Sequence, residues 1–124
     1  MPALLHLKMD IDPTKLTAFT ERFARGVATL PGLKFKIWAA DHQKGEASGF
    51  YVYETRRDAE IRKRSAAEYL LSLDGITNVT AQIYDIDENL SRITRAPLDV
   101  QANPSYPDVE DLDQYSDFVL TAKF

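Results

Sequence analysis

The chain of 124 residues contains no cysteine. That excludes a disulfide framework, a thiolate nucleophile and a zinc–thiolate centre together. Only five glycines are present and none forms a phosphate-cradling run, so a flavin or nucleotide loop has no support. Histidine is equally scarce, with His6 and His42 alone. Asp41 and His42 are adjacent and poorly placed to face one ion with Glu46, so no metal is expected. No apolar run approaches the ~18 residues of a membrane span. The first residues lack a signal-peptide pattern, and the expectation is a cytoplasmic protein that binds no membrane.

What is present suits a globular domain: 44% of the residues are hydrophobic, too many for a disordered chain. The net charge of −4 is unevenly spread. Residues 1–96 balance to +1, whereas residues 97–124 carry −5 and three of the six prolines. A nearly neutral body offers no basic face for nucleic acid. The division predicts a domain over residues 1–98 followed by an acidic C-terminal arm over 99–124.

Within the body the periodicity switches between two and 3.6. Leu5, Leu7 and Met9 alternate with His6 and Lys8 in a first strand, from about Leu4 to Asp10. Asp12 then offers an N-cap with Pro13 behind it, and Leu16, Phe19, Phe23 and Val27 stripe a helix to about Thr29. Pro31-Gly32 turns the chain into a second strand, where Phe35, Ile37 and Ala39 alternate with Lys36 and Trp38. A polar loop, 41–48, leads to a third strand over Gly49–Tyr53. Thr55 and Asp58 suggest a capping box for a second helix, about Arg57 to Leu73. Its stripe is Ala59, Ala66, Leu70 and Leu73, interrupted by Lys63. Asp74-Gly75 ends it, and Val79, Ala81 and Ile83 alternate in a fourth strand. One or two helical turns follow around Leu90 and Ile93. The order β-α-β-β-α-β is ferredoxin-like, an α+β fold.

Two helices on one face of a four-stranded sheet leave the other face open. That face carries Trp38 or Ile37 and Tyr51 or Phe50, depending on register, and a second copy is its simplest cover. A homodimer packed sheet against sheet is therefore expected. In the arm, Phe118, Leu120, Ala122 and Phe124 alternate as a strand would, which predicts an ordered segment on a sheet edge. Its carboxylates (Asp108, Glu110, Asp111, Asp113, Asp117) could dock on the basic cluster Arg56, Arg57, Arg62, Lys63 and Arg64. That cluster reads equally as a solvated helix face balanced by Glu54, Asp58 and Glu60.

Certain runs carry a resemblance. Pro31-Gly32-Leu33, Lys36-Ile37-Trp38 and Glu46-Ala47-Ser48-Gly49-Phe50-Tyr51 are similar to the YdhR-type putative monooxygenases. So is Ala81-Gln82-Ile83-Tyr84-Asp85-Ile86, continuing to Leu90-Ser91. The resemblance covers about residues 3–98. It implies a dimeric α+β barrel related to the antibiotic-biosynthesis monooxygenases, which oxidise aromatic substrates without metal or flavin. Haem-binding relatives of this fold use a helix histidine, which neither helix here has, so no cofactor is expected.

Candidate residues follow. Lys36 and Trp38 share a strand face. Trp38 could wall an aromatic substrate and Lys36 could stabilise a developing phenolate, or the two could simply pack and snorkel. Tyr51 and Tyr53 share the face of the next strand, with Tyr84 a potential third. Tyr51 could move a proton while Tyr53 and Tyr84 contact substrate, or all three could fill a half-buried face. His6 is either a base or a satisfied mid-strand polar group. The leading expectation is a cofactor-independent monooxygenase acting on an aromatic or polyketide-like small molecule. The alternatives are a non-catalytic, small-molecule-binding or stress-associated dimer, and a proton-transfer isomerase.

Overall fold

In the computed structural model, the first strand β1 (Ala3–Ile11) is central and buries Ala3, Leu5, Leu7 and Met9 on one face. The description covers residues 1–12, Thr14 and 20–106. The remaining elements are α1 (Glu21–Val27), β2 (Leu33–Asp41), β3 (Glu46–Tyr53), α2 (Arg56–Leu71), β4 (Ile76–Asp85) and α3 (Glu88–Ile93). The sheet is antiparallel throughout, in the order β2-β3-β1-β4. This is the ferredoxin-like α+β arrangement expected from the alternation of periods.

Register assigns the faces, because residues directly opposite each other share one. Leu5 opposes Tyr51 and Ile83, and Leu7 opposes Gly49 and Ala81. These residues line the helix side, where α2 packs on β4, β1 and β3. His6 opposes Phe50 and Gln82, and Leu4 opposes Val52 and Tyr84, on the other side. A register shift between Leu33 and Phe35 places Lys36 opposite Tyr51 and Trp38 opposite Gly49. Lys36, Trp38 and Tyr51 therefore face the helices. Ile37 and Phe50 occupy the open face, on which Ile37 and Tyr84 are 55% and 53% exposed.

The first helix is shorter than its stripe predicts. Thr20 is extended (φ −110°, ψ 171°) and its hydroxyl accepts from the Phe23 amide, so a helix begins there. Threonine favours this capping bond over continued helix, which interrupts the expected run from Asp12 to Thr29. Asp12 accepts from the amide and hydroxyl of Thr14. Pro13, Leu16 and Phe19 lie outside the described residues.

Helix α2 departs from its predicted stripe. Asp58, Ile61, Arg62 and Ser65 are buried with Ala59, Ala66 and Leu70, while Lys63 is exposed and interrupts nothing. The capping box is also altered. The Thr55 hydroxyl accepts from the Asp58 amide and donates to Asp58 Oδ2, which also accepts from Ser105 Oγ at 2.8 Å. Asp58 thus turns inward, toward the chain that follows α3. Gly32 (φ +74°) fits against it: a Cβ there would lie 2.2 Å from Asp58 Oδ2.

Residues beyond Pro97 fold back on the body. Asn103 Nδ2 donates to the carbonyls of Ala28 and Leu30, its amide donates to Leu33, and Gly32 donates back to Asn103 and Pro104. Arg57 donates to the carbonyl of the buried Tyr106. The expected strand over Phe118–Phe124 and the expected docking carboxylates of the arm lie outside the described residues. Of the basic cluster, Arg56 pairs with Glu60 and Asp85, and Arg62 is buried and not part of a solvated face.

Candidate active site

A cavity of about 630 Å³ lies between α1 and the helix-side faces of β1, β2 and β3. Its walls include Leu7, Met9, Phe23, Lys36, Trp38 and Tyr51, with the exposed Glu21 and His42 also contributing. The sequence reasons are local. The irregularity after Leu33 aims Lys36 and Trp38 inward, and Phe23 descends from α1 as part of its buried stripe. Gly49 leaves space for the lysine stem, since a Cβ there would sit 2.9 Å from Lys36 Cε.

Lys36 Nζ is surrounded by rings. It lies 3.2 Å from the centroid of Trp38, 4.4 Å from Tyr51 and 5.8 Å from Phe23. Phe23 meets Trp38 edge-on at 5.6 Å and stacks with Tyr69 at 6.5 Å. Among the described residues, Lys36 has no hydrogen bond and no ion pair. Burial, and secondly the nearby Arg62 guanidinium, push its pKa from 10.5 down to about 6. The ring faces attract an ammonium and oppose part of that shift. The result is an amine able to hold or release a proton near neutral pH, against flat apolar walls.

The other predicted residues separate. Tyr53 shares the face of Tyr51 and stacks on it at 6.1 Å, but it is fully buried and does not line the cavity. Among the described residues its hydroxyl has no hydrogen-bond partner, and burial raises its pKa well above 10. Tyr84 does not join the tyrosine pair: opposite Leu4, it lies on the open face. His6 is on that face too, stacked on Phe50 at 4.4 Å with Nε2 3.1 Å from Ser48 Oγ. The sheet itself separates both from Lys36.

Three contributors escaped the sequence reading. Phe23 was legible only as a core position, and Gly49 only as the start of a strand. Arg62 was grouped with exposed cations, yet its guanidinium lies 5.8 Å from the Tyr51 ring. The available signal was spacing: Arg62 follows Asp58 by four residues and precedes Ala66 by four, on one helix face. Among the described residues, no three His, Asp or Glu side chains converge as a metal site.

Comparison with known proteins follows the same outline. A model of the family described as "Putative mono-oxygenase ydhR" matches residues 4–97. Among solved structures, Rv0793 from Mycobacterium tuberculosis aligns at 16% identity with a TM-score of 0.53. That alignment covers 71% of this chain and 98% of the other. A protein titled putative antibiotic biosynthesis monooxygenase, from Chloroflexus aurantiacus J-10-fl, aligns at 13% identity and a TM-score of 0.47. It covers 71% of this chain and 97% of its own. A NIPSNAP-like domain protein from Burkholderia xenovorans aligns at 15% identity and 0.48, over 89% and 97% of the two chains. No curated protein sequence matches. At 16% identity the likeness to Rv0793 is one of fold.

Proposed function

Because the chain belongs to the ydhR family of putative mono-oxygenases, we propose that its cavity binds an electron-rich phenol and directs its oxidation by O2. The observation that carries this reading is the Lys36 amine, held near neutrality among three aromatic rings. Trp38 and Phe23 form walls for a planar ring, and Tyr51 supports the lysine from the sheet side.

In the proposed sequence, Lys36 takes the phenol proton and becomes the ammonium beside the phenolate. The carbanion-like ring carbon of that phenolate transfers its electron pair to O2 and forms the carbon–oxygen bond. The ammonium returns its proton to the resulting peroxide. Loss of the ring C–H proton then breaks the O–O bond, giving a ring carbonyl, and the released hydroxide takes that proton to become water. Phenol and O2 thus yield quinone and water, with the substrate supplying all the electrons and no cofactor required. The base at about 6 is best matched to acidic hydroxyls, those of polyketide-like phenols and enols, because proton transfer is then less uphill. A bound ring would displace water from the apolar walls beside the anion.

The reading extends to assembly. Ile37, Phe50, Tyr84 and Leu4 make an apolar open face suited to a second copy, and a homodimer would cover it. No helix among the described residues is long and apolar enough to cross a membrane.

Oxygen uptake with a panel of phenols and hydroquinones tests the proposal. Uptake is expected to give stoichiometric quinone, with kcat falling at least ~100-fold in Lys36→Met. Trp38→Ala is expected chiefly to raise KM. Saturable binding without oxygen uptake in the wild type would instead favour a binding protein, and product formed under strict anaerobiosis would refute the oxygenase.

A further inference from the structure

Lys36 is the described lysine that lines this cavity, whereas Lys44 and Lys63 are exposed. Lys8 pairs with Glu46, and Lys34 pairs with Glu54 and donates to the Leu98 carbonyl. Among the described residues Lys36 has neither a carboxylate nor a carbonyl partner, and its stem is fixed between Gly49 and the rings of Trp38 and Tyr51. Its Nζ lines a space large enough for a bicyclic aromatic molecule and bordered by Leu7, Met9 and Ala47. An amine in this setting is a nucleophile as well as a base.

We infer that Lys36 captures planar aromatic aldehydes covalently, condensing with the carbonyl as an imine within the cavity under α1. The Nζ lone pair attacks the carbonyl carbon, and the carbonyl electron pair moves to oxygen, which is protonated. The carbinolamine then loses water, whose hydrogens derive from the amine and from solvent, leaving a carbon–nitrogen double bond. No electrons leave the pair of reactants, so neither oxidant nor reductant is needed. The aromatic walls select the ligand, and the apolar lining slows hydrolysis of the imine.

Charge around the amine favours this chemistry. Arg62 acts on the amine from α2, Tyr51 places its ring 4.4 Å from Nζ from β3, and Glu21 on α1 and His42 in the turn after β2 line the same cavity. Burial and Arg62 favour the uncharged amine near pH 7, and the exposed Glu21 and His42 are polar members of the cavity lining. The inference needs the cavity and its lysine but not oxygen chemistry, so it stands or falls separately from the proposed oxidation.

The test is anaerobic labelling of the full chain with 2-hydroxy-1-naphthaldehyde at pH 7. Cyanoborohydride then reduces any imine to a stable secondary amine, and peptide mapping reads every lysine. One equivalent on Lys36 is expected, at least ~10-fold faster than on any of the other six lysines. Butanal should label Lys36 more slowly than the naphthaldehyde, and Lys36→Met should lose the fast adduct. Equal rates at all lysines in the wild type would overturn the inference, a comparison that survives even if the variant fails to fold. Retention of a fast single adduct in Lys36→Met, or equal labelling by butanal, would overturn it as well.

Discussion

Replacing Lys36 with methionine gives a stability difference whose dependence on pH follows from the site. In the unfolded chain the amine titrates near 10.5, and in the folded chain near 6. Below pH 6 both states are protonated and the folded protein bears the full cost of a buried cation. Between the two values the unfolded state holds one more proton, so stability rises with pH by about 1.4 kcal/mol per unit. Above 10.5 both states are neutral and the cost is gone. At pH 7 the lysine therefore destabilises the fold by roughly 4 to 5 kcal/mol relative to its neutral form, and because the folded amine is then mostly uncharged the ring faces change that cost little. The slope is the sturdier quantity, because any folded value below ~7 gives the same rise in the window above it. Urea unfolding followed by far-UV circular dichroism, from pH 7.5 to 9.5 at one protein concentration, provides the measurement. The wild type is expected to gain about 2.7 kcal/mol relative to Lys36→Met over those two units. Packing changes in the variant add a constant and leave the slope untouched. A difference that stays level across the window would mean that Lys36 keeps an ordinary pKa, and the base assigned to the site would be lost with it.

Three further outcomes follow from the geometry. Gly32→Ala places a methyl 2.2 Å from Asp58 Oδ2 at φ +74°, and should cost about 2–4 kcal/mol by urea unfolding. Adding Asp58→Ala should relieve the steric share of that loss, and strict additivity would contradict the contact. Asn103→Ala removes two side-chain bonds to the Ala28 and Leu30 carbonyls and should cost ~1–3 kcal/mol, seen as a lower melting temperature. A change under ~0.3 kcal/mol would show that the segment after α3 is not fastened there. Ile37→Asp puts a carboxylate on the open sheet face and should halve the mass measured by light scattering, whereas a monomeric wild type would refute the homodimer.

Much of the fold is legible in the sequence because its strands alternate cleanly. Leu5, Leu7 and Met9 against His6 and Lys8 fix which residues of β1 are buried, and Val79, Ala81 and Ile83 do the same for β4. The helices are less legible, for a physical reason. Thr20 sits inside a good apolar stripe, yet its hydroxyl holds the Phe23 amide and starts a helix of its own. In α2 the buried face carries Asp58 and Arg62, which a search for apolar positions skips. Asp58 meets a tertiary partner, Ser105, from 47 residues away, and no local pattern encodes that.

The candidate site divides along the same line. Lys36, Trp38 and Tyr51 were legible as neighbours, since residues two apart on a strand share a face and adjacent strands pair. Tyr84 and His6 were not separable from them, because alternation places residues on two faces without saying which face the helices cover. The bulge after Leu33 and the pairing of Leu4 with Tyr84 decide that, and both are properties of register. What the sequence could not express is the environment that changes the lysine's chemistry. Read alone, Lys36 is a cation suited to stabilising a phenolate. Flanked by Trp38, Tyr51 and Phe23, with Arg62 nearby and no ion-pair partner among the described residues, its amine is pushed toward the neutral form, and in the proposed reaction it is a base that becomes that cation on taking the substrate's proton. In the proposed reaction, charge arises in the cavity as a pair, phenolate with ammonium, which costs the apolar walls less than an isolated ion would.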